Sequence, residues 1–397
     1  MNVKQVINKR DEVLTNIKIS TPEKLAKYLY TMGLVIYLIA NYLRGTMIVN
    51  NFGINIVTMT YAIYLGTFFV LLKVILYDDF LEWKYLAYLV LIILFYSIGK
   101  QAKDFDLFYY FIFIVSAKGI DFKHILKTFL IVNFAGILVT GCLTGLDLIK
   151  NVIITRVDSP AIRYSLGAVY PTDLAARIFF MMLAYFGVKN YRFKLPEYVS
   201  ILALIILTYL ITNTRLDFLL MLLAFVMIVF NKQIMRALEK IKPRYIYLLT
   251  GGLVFVTLLL GYIYRPGNAI LDKINSLLSG RLFYEHIAFK DYNVEFLGQY
   301  IYQNGFGGGF KINNYFFIDS SYVRVLLMYG LVAFIAFMTI LLLVEKKFIA
   351  EKHYGLLACF ILVLLSSVID QHILEISYNI FLLALLADMN SFKEQED

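Results

Sequence analysis

The sequence predicts an all-α, polytopic integral membrane bundle of about twelve transmembrane helices, ten to fourteen if the shorter windows are counted differently. Three observations carry this. The 397 residues are 60% hydrophobic with a mean hydropathy of +0.73. Charged residues make up 16% of the chain, where soluble domains carry roughly 25%. Apolar windows of roughly 17–25 residues, the length that matches bilayer hydrocarbon, recur along the whole chain.

The windows fall at 25–43, 55–77, 83–100, 105–117, 125–148, 171–188, 198–213, 215–231, 245–264, 321–344, 354–370 and 374–389, the fourth and last being short. Ahead of the first lies a polar stretch, residues 1–24, bearing Lys4, Lys9, Arg10, Lys18 and Lys24 with no small-residue cleavage site; a cytoplasmic N-terminal segment is expected. With both ends inside, 19 of 25 lysines fall on the cytoplasmic side, as the positive-inside rule requires. Arginine runs the other way: eight of 12, namely Arg44, Arg156, Arg163, Arg177, Arg215, Arg265, Arg281 and Arg324, lie outside or at outer helix ends. Insertion disfavours that placement, so a ligand needing the planar guanidinium fork is expected outside, and phosphate is what that fork grips.

The net charge of +9 does not indicate nucleic acid, because the lysines sit in short loops such as Lys232 to Arg244, where anionic lipid accounts for them. Cys142 and Cys359 lie within apolar windows and offer neither a disulfide framework nor a metal spacing. No linker or low-complexity tract divides the chain, so one domain over 1–397 is expected. Two connections are long, 150–170 and 265–320, and both fall outside. The second carries Leu277, Leu282, Phe283, Ile287 and Phe289, which predicts an ordered, partly helical cap.

Candidate residues cluster at that outer face. Arg177 follows Asp173 by four residues in the sixth window, so an ion pair on one helix face competes with a ligand role. Arg215 opens the eighth window and Arg324 the tenth, where snorkelling is the alternative to phosphate binding. Arg281 lies in the long loop four residues before Glu285, its possible salt-bridge partner, with His286 beside it. Arg156 precedes Gly167 by eleven residues. Asp319 either caps the tenth helix or accepts a proton. Asp291 is a further carboxylate, Tyr284, Tyr292, Tyr300 and Tyr315 either stack on a ligand or anchor the loop at the membrane interface, and Asp370, His372 and Glu375 cluster in the last outer turn without a metal-specifying spacing.

The order of these features resembles the O-antigen polymerase family, grouped with the O-antigen ligases among membrane glycosyltransferases. The matching pieces are Asn213-Thr214-Arg215, Ser279-Gly280-Arg281, the glycines from Gly305 to Gly309, and Asp319-Ser320-Ser321-Tyr322 leading to Gly330. The resemblance implies a bacterial inner-membrane enzyme that joins oligosaccharide repeat units carried on undecaprenyl pyrophosphate, donor and acceptor alike, without metal, nucleotide sugar or other cofactor. It carries phosphate-binding arginine onto Arg215 and Arg281, and the expected set adds Arg177, Arg324 and Arg156. Asp319, Glu285 and His286 are the expected catalytic residues. Ligases of this group show a histidine near the junction where this chain has Asp319, which favours the polymerase. A flippase or other transporter and an O-antigen or teichoic-type ligase remain the alternatives. A chain-length regulator is a possible partner.

Overall fold

In the computed structural model the described residues are 22–78, 83–156, 159–305, 307–309 and 313–393, with positions 9 and 12. The chain is an all-α membrane protein with one small hairpin. Its helices are α1 (Pro22–Arg44), α2 (Ile56–Tyr77), α3 (Trp83–Ala102), α4 (Asp106–Ser116) and α5 (Phe122–Gly145). The hairpin β1 (Ile153–Arg156) and β2 (Ser159–Tyr164) follows, then α6 (Pro171–Lys189), α7 (Leu195–Thr212), α8 (Arg215–Val229), α9 (Asn231–Lys240) and α10 (Pro243–Ile263). The long segment contributes α11 (Ala269–Leu277) and α12 (Arg281–Asp291), α13 (Ser321–Ala350) and α14 (Tyr354–Ser366) follow, and single helical turns lie at Met47–Asn51 and Asn390–Lys393.

Local chemistry sets many of these boundaries. Asn55 and Asp121 cap α2 and α5 through side-chain oxygens that accept from Val57 N and from Lys123 and His124 N. Pro171, Pro196 and Pro243 stand in first turns, where the missing N–H costs nothing. Asn190 and Asn213 end α6 and α7 at φ 46°, the left-handed position asparagine tolerates best after glycine. Leu86, Val90 and Ile93 on α3 are exposed, as a lipid-facing stripe should be.

Among the described residues seven helices are long and apolar enough to cross a membrane, or eight if α8 and α9 count as one bent span. Helix α4 has 11 residues and α14 has 13, about 17 and 20 Å at 1.5 Å per residue, less than the ~30 Å hydrocarbon core. The expected loop from Lys232 to Arg244 contains α9, turned 87° from α8 with its lysines exposed, the geometry of a helix lying along an interface. The 150–170 connection is an antiparallel hairpin pairing Ile153 with Tyr164 and Ile154 with Arg163.

The last window, 374–389, is the clearest correction, because no α-helix forms there. After α14 the chain takes short 3₁₀ turns at His372–Leu374 and Phe381–Leu385 with Ile380 to Ala384 almost wholly buried. Irregular backbone at membrane depth persists only where protein supplies its hydrogen bonds. Lys347 Nζ donates to Ala384 O at 2.8 Å and Ala387 O at 2.5 Å, Asn379 Nδ2 donates to Ile373 O at 2.9 Å, and the Tyr110 hydroxyl donates to Asn379 O. This stretch runs from the end holding the 265–320 segment, hereafter the cap end, where Ser321 N donates to Asp370 O at 3.2 Å. It reaches the opposite end, where Asp388 pairs with Ile120 and Phe122.

The cap segment contains two helices and docks by backbone. Gln299 N donates to Met328 O at 2.9 Å and Leu331 N to Glu295 O at 2.9 Å. Those acceptors and donors are free because α13 opens into a π turn at Val325–Tyr329 and breaks at Gly330, whose φ of 87° and ψ of 175° suit glycine alone.

Candidate functional site

The cap end gathers side chains from every part of the chain. Arg281 opens α12, reaches inward and donates from Nε to Ile369 O at 2.7 Å and from Nη1 to Leu278 O at 3.2 Å. Its ion-pair partner is Asp319, with Nε 3.7 Å from Oδ2, and not Glu285, although Glu285 lies four residues on along the same helix. Burial opposes the arginine's charge, but Asp319, Asp370 and Asp217 outweigh it and hold the guanidinium above its usual pKa. Burial likewise raises the half-buried Asp319 above the usual carboxylate range, against the pull of Arg281. Tyr170, Tyr284 and Tyr315 surround this pair within electrostatic reach of Asp319, with the Tyr284 and Tyr315 rings edge to face at 4.9 Å.

Arg163, carried inward by β2, is the second guanidinium here. It is 6% exposed, donates from Nε to Thr212 O at 2.9 Å and lies over the Tyr170 ring. Buried Asp217 sits within electrostatic reach of both Arg163 and Arg281. Among the described residues, buried polar atoms without a hydrogen-bond partner include Arg163 Nη2, Glu285 Oε2, His286 Nδ1 and Ser320 Oγ, all at the cap end. Native interiors leave few such atoms, and each calls for a physical reason such as a water, an ion or a functional role.

Glu285 points away from solvent toward α10. A methyl built on Gly261 would lie 2.8 Å from its Oε2, so glycine there makes room for the carboxyl. Burial, and then the Asp319 charge, push Glu285 up to about 8, which leaves it largely protonated at neutral pH. Since the folded value exceeds the usual 4.5, its contribution to stability is complete below about 4.5 and lost as pH rises through about 8. Melting followed by a thiol-reactive dye at buried Cys359, in a Cys142→Ser background, is expected to fall across that window, and Glu285→Gln to flatten the fall. An unchanged slope in Glu285→Gln would assign the pH dependence elsewhere.

The remaining candidates occupy different places. His286 is half-buried against the Tyr264 ring at 6.0 Å. Arg177 is 4% exposed between the rings of Tyr42 at 4.4 Å and Tyr378 at 4.2 Å, and donates to Asn133 Oδ1 at 2.7 Å. Arg324 pairs with Asp104 at 2.9 Å and donates to Gln303 Oε1 at 3.3 Å. Arg215 is exposed at the start of its helix and makes no ion pair among the described residues. Arg156 pairs through its backbone with Ser159; its side chain lies outside the described residues. The structure thus joins Arg281, Asp319 and Glu285, with Arg324, though paired to Asp104, still within electrostatic reach of Asp319; Arg177 is held by Tyr42, Tyr378 and Asn133, and Arg215 is exposed. Of the tyrosines, Tyr292 stacks on Phe316 and Tyr300 receives Lys103 at 4.2 Å from its ring centre.

Sequence reasoning passed over Arg163, Asp217 and His372 as site residues. His372 stacks flat on Tyr378 at 3.7 Å, with Nδ1 2.9 Å from Glu375 Oε1 and Nε2 3.3 Å from Asp370 Oδ1. Burial disfavours its charge, yet the two carboxylates more than reverse this and push it up to about 9. The signal for Arg163 was present in the arginine bias; its partners were not, because a hairpin and two helices bring them together.

The fold and this cluster define a helical membrane protein with a buried, cation-and-carboxylate site at one end of the bundle. The chain matches no family model, no curated protein and no solved structure.

Proposed function

We propose that this protein polymerises undecaprenyl-pyrophosphate-linked oligosaccharide repeat units at the outer face of a bacterial cytoplasmic membrane, as a metal-independent membrane glycosyltransferase. The observation that carries the reading is the Arg281–Asp319 pair at 3.7 Å with Tyr170, Tyr284 and Tyr315 within electrostatic reach of Asp319, and with buried Arg163 within electrostatic reach of Arg281. In this reading the chain makes twelve passes, α1 to α8, α10, α13, α14 and the irregular stretch after α14, with both termini cytoplasmic and the cap end outside.

The chemistry follows from the charges. Asp319, made more basic by burial, accepts the proton of an acceptor sugar hydroxyl. The resulting oxygen attacks the anomeric carbon of the donor, and the bond from that carbon to the diphosphate oxygen breaks with its electron pair leaving on undecaprenyl pyrophosphate. Arg281 and Arg163 offset the charge that develops there, and the proton later passes from Asp319 to solvent. Protonated Glu285 is unsuited to be the base at neutral pH, and His372, already an imidazolium between two carboxylates, is unsuited likewise. A chain-length regulator would act on this site from outside the bundle.

Deleting the gene in its host separates this reading from its rivals. A polymerase deletion accumulates single repeat units on the carrier at the outer face. Accumulation at the inner face would instead indicate a flippase, and finished polymer left on the carrier would indicate a ligase. Either result overturns the proposal.

A further inference from the structure

Beside the Arg281–Asp319 pair the bundle holds a second polar space, a cavity of about 510 Å³. Its walls come from α1 (Asn41, Arg44), α2 (Thr60, Tyr64), the α3–α4 junction and the turn carrying His372. Cap residue Tyr300 covers its rim by taking Lys103 against its ring at 4.2 Å, and Gln303 meets Arg324 beside it.

The charge balance narrows what fits. Asp104 is neutralised by Arg324 at 2.9 Å and Glu375 by His372 at 2.9 Å. Of the other ionisable groups lining the space, the carboxyls of Asp106 and Asp173 stand among the cations Arg44 and Lys103. The lining thus mixes acidic and cationic side chains, where a diphosphate site would present cations alone. What the walls offer is hydrogen-bond acceptors beside donors, interleaved with tyrosine rings, Tyr37 and Tyr109 being 5.8 Å apart. A neutral polyhydroxyl ring answers both needs, because each hydroxyl donates to a carboxylate and accepts from arginine or amide nitrogen while a C–H face rests on an aromatic ring. The volume lies in the range of roughly 300–1,000 Å³ that holds compact ligands, which suits a short oligosaccharide and excludes a long chain.

The position matters as much as the lining. His372 is the common wall: it faces the cavity, and its Nε2 is 3.3 Å from Asp370, which lies within electrostatic reach of Arg281. A sugar held here is one side chain away from a diphosphate held there.

We infer that this cavity is a saccharide subsite, binding the neutral sugars of the lipid-linked substrate apart from the arginines that take its diphosphate. The inference rests on the glycan chemistry proposed above. The probe is an array of neutral, amino and uronic-acid di- to tetrasaccharides, exposed to the full chain in lipid nanodiscs. Wild-type protein and a lipid-facing control, Leu86→Trp, are expected to retain a subset of the neutral glycans. Thr60→Trp, which fills the cavity, and Asp106→Asn, which replaces a carboxyl of the lining by an amide, are each expected to lose at least tenfold in retention, with melting profiles like the control. The inference is overturned if no glycan is retained, if acidic glycans are retained in preference, or if correctly folded Thr60→Trp and Asp106→Asn bind like wild type. Glycan retention lost in Thr60→Trp, together with normal polymer in the deletion strain, would keep the subsite and remove the polymerase. Single units accumulating in that strain, with retention unchanged in Thr60→Trp, would do the reverse.

Discussion

Arg281→Lys is expected to lower polymer synthesis by about two to three orders of magnitude, the effect of removing one preorganised donor from a developing negative charge. The guanidinium does two things at once. Its Nε and Nη1 are fixed on the Ile369 and Leu278 carbonyls, at 2.7 and 3.2 Å, while its charge faces Asp319, Asp370 and Asp217. An ammonium group is a single point and cannot keep both carbonyls and still present a planar fork to a diphosphate. Because lysine preserves a positive charge beside Asp319, the fold should persist with a melting profile close to wild type. Lipid-linked polymer length in a complemented deletion strain is the readout, and wild-type lengths in Arg281→Lys would remove the arginine from the mechanism. Arg215→Lys serves as the contrast. Its exposed position predicts polymer of ordinary length, although the sequence pattern alone placed it beside Arg281.

Gly330→Ala is expected to undock the cap and to abolish activity by a route that leaves the arginines in place. The new Cβ would lie 2.3 Å from Gly298 N and 2.7 Å from Glu295 O, both backbone atoms that no rotamer change can move aside. The residue also sits at φ 87°, ψ 175°, a conformation that costs on the order of 1–3 kcal/mol for a residue with a side chain. The bonds from Gln299 N to Met328 O and from Leu331 N to Glu295 O depend on this close approach. Limited proteolysis within the stretch 292–305 should therefore be many times faster in Gly330→Ala. Proteolysis at the wild-type rate would show that the cap is held by other contacts.

Much of the helical frame is legible in the sequence because its causes are local. Apolar length selects the spans, Asn190 and Asn213 end two helices through their own backbone preference, and Pro171, Pro196 and Pro243 mark three beginnings. The order of the cap was legible for the same reason, from leucine, isoleucine and phenylalanine in a segment too apolar to stay loose. The candidate site was half legible. Arg281 and Asp319 stood out by type and place, whereas Arg163 depended on a hairpin whose register no local signal announced.

What the chain's order of residues determined by itself was the class of protein and the end of the bundle where its arginines collect, since hydropathy and the cost of placing charge in lipid act residue by residue. Only the tertiary structure decided that Arg281 turns to Asp319 and not to Glu285, and that the apolar run after Glu375 gives up a helix for short turns. Both are choices among partners distant in sequence: a carboxylate 38 residues on from Arg281, and the Lys347 ammonium that meets the carbonyls of Ala384 and Ala387. A side chain or a peptide group takes the partner that leaves the least charge or hydrogen-bonding capacity unmet, and that partner exists only once the bundle has closed around it.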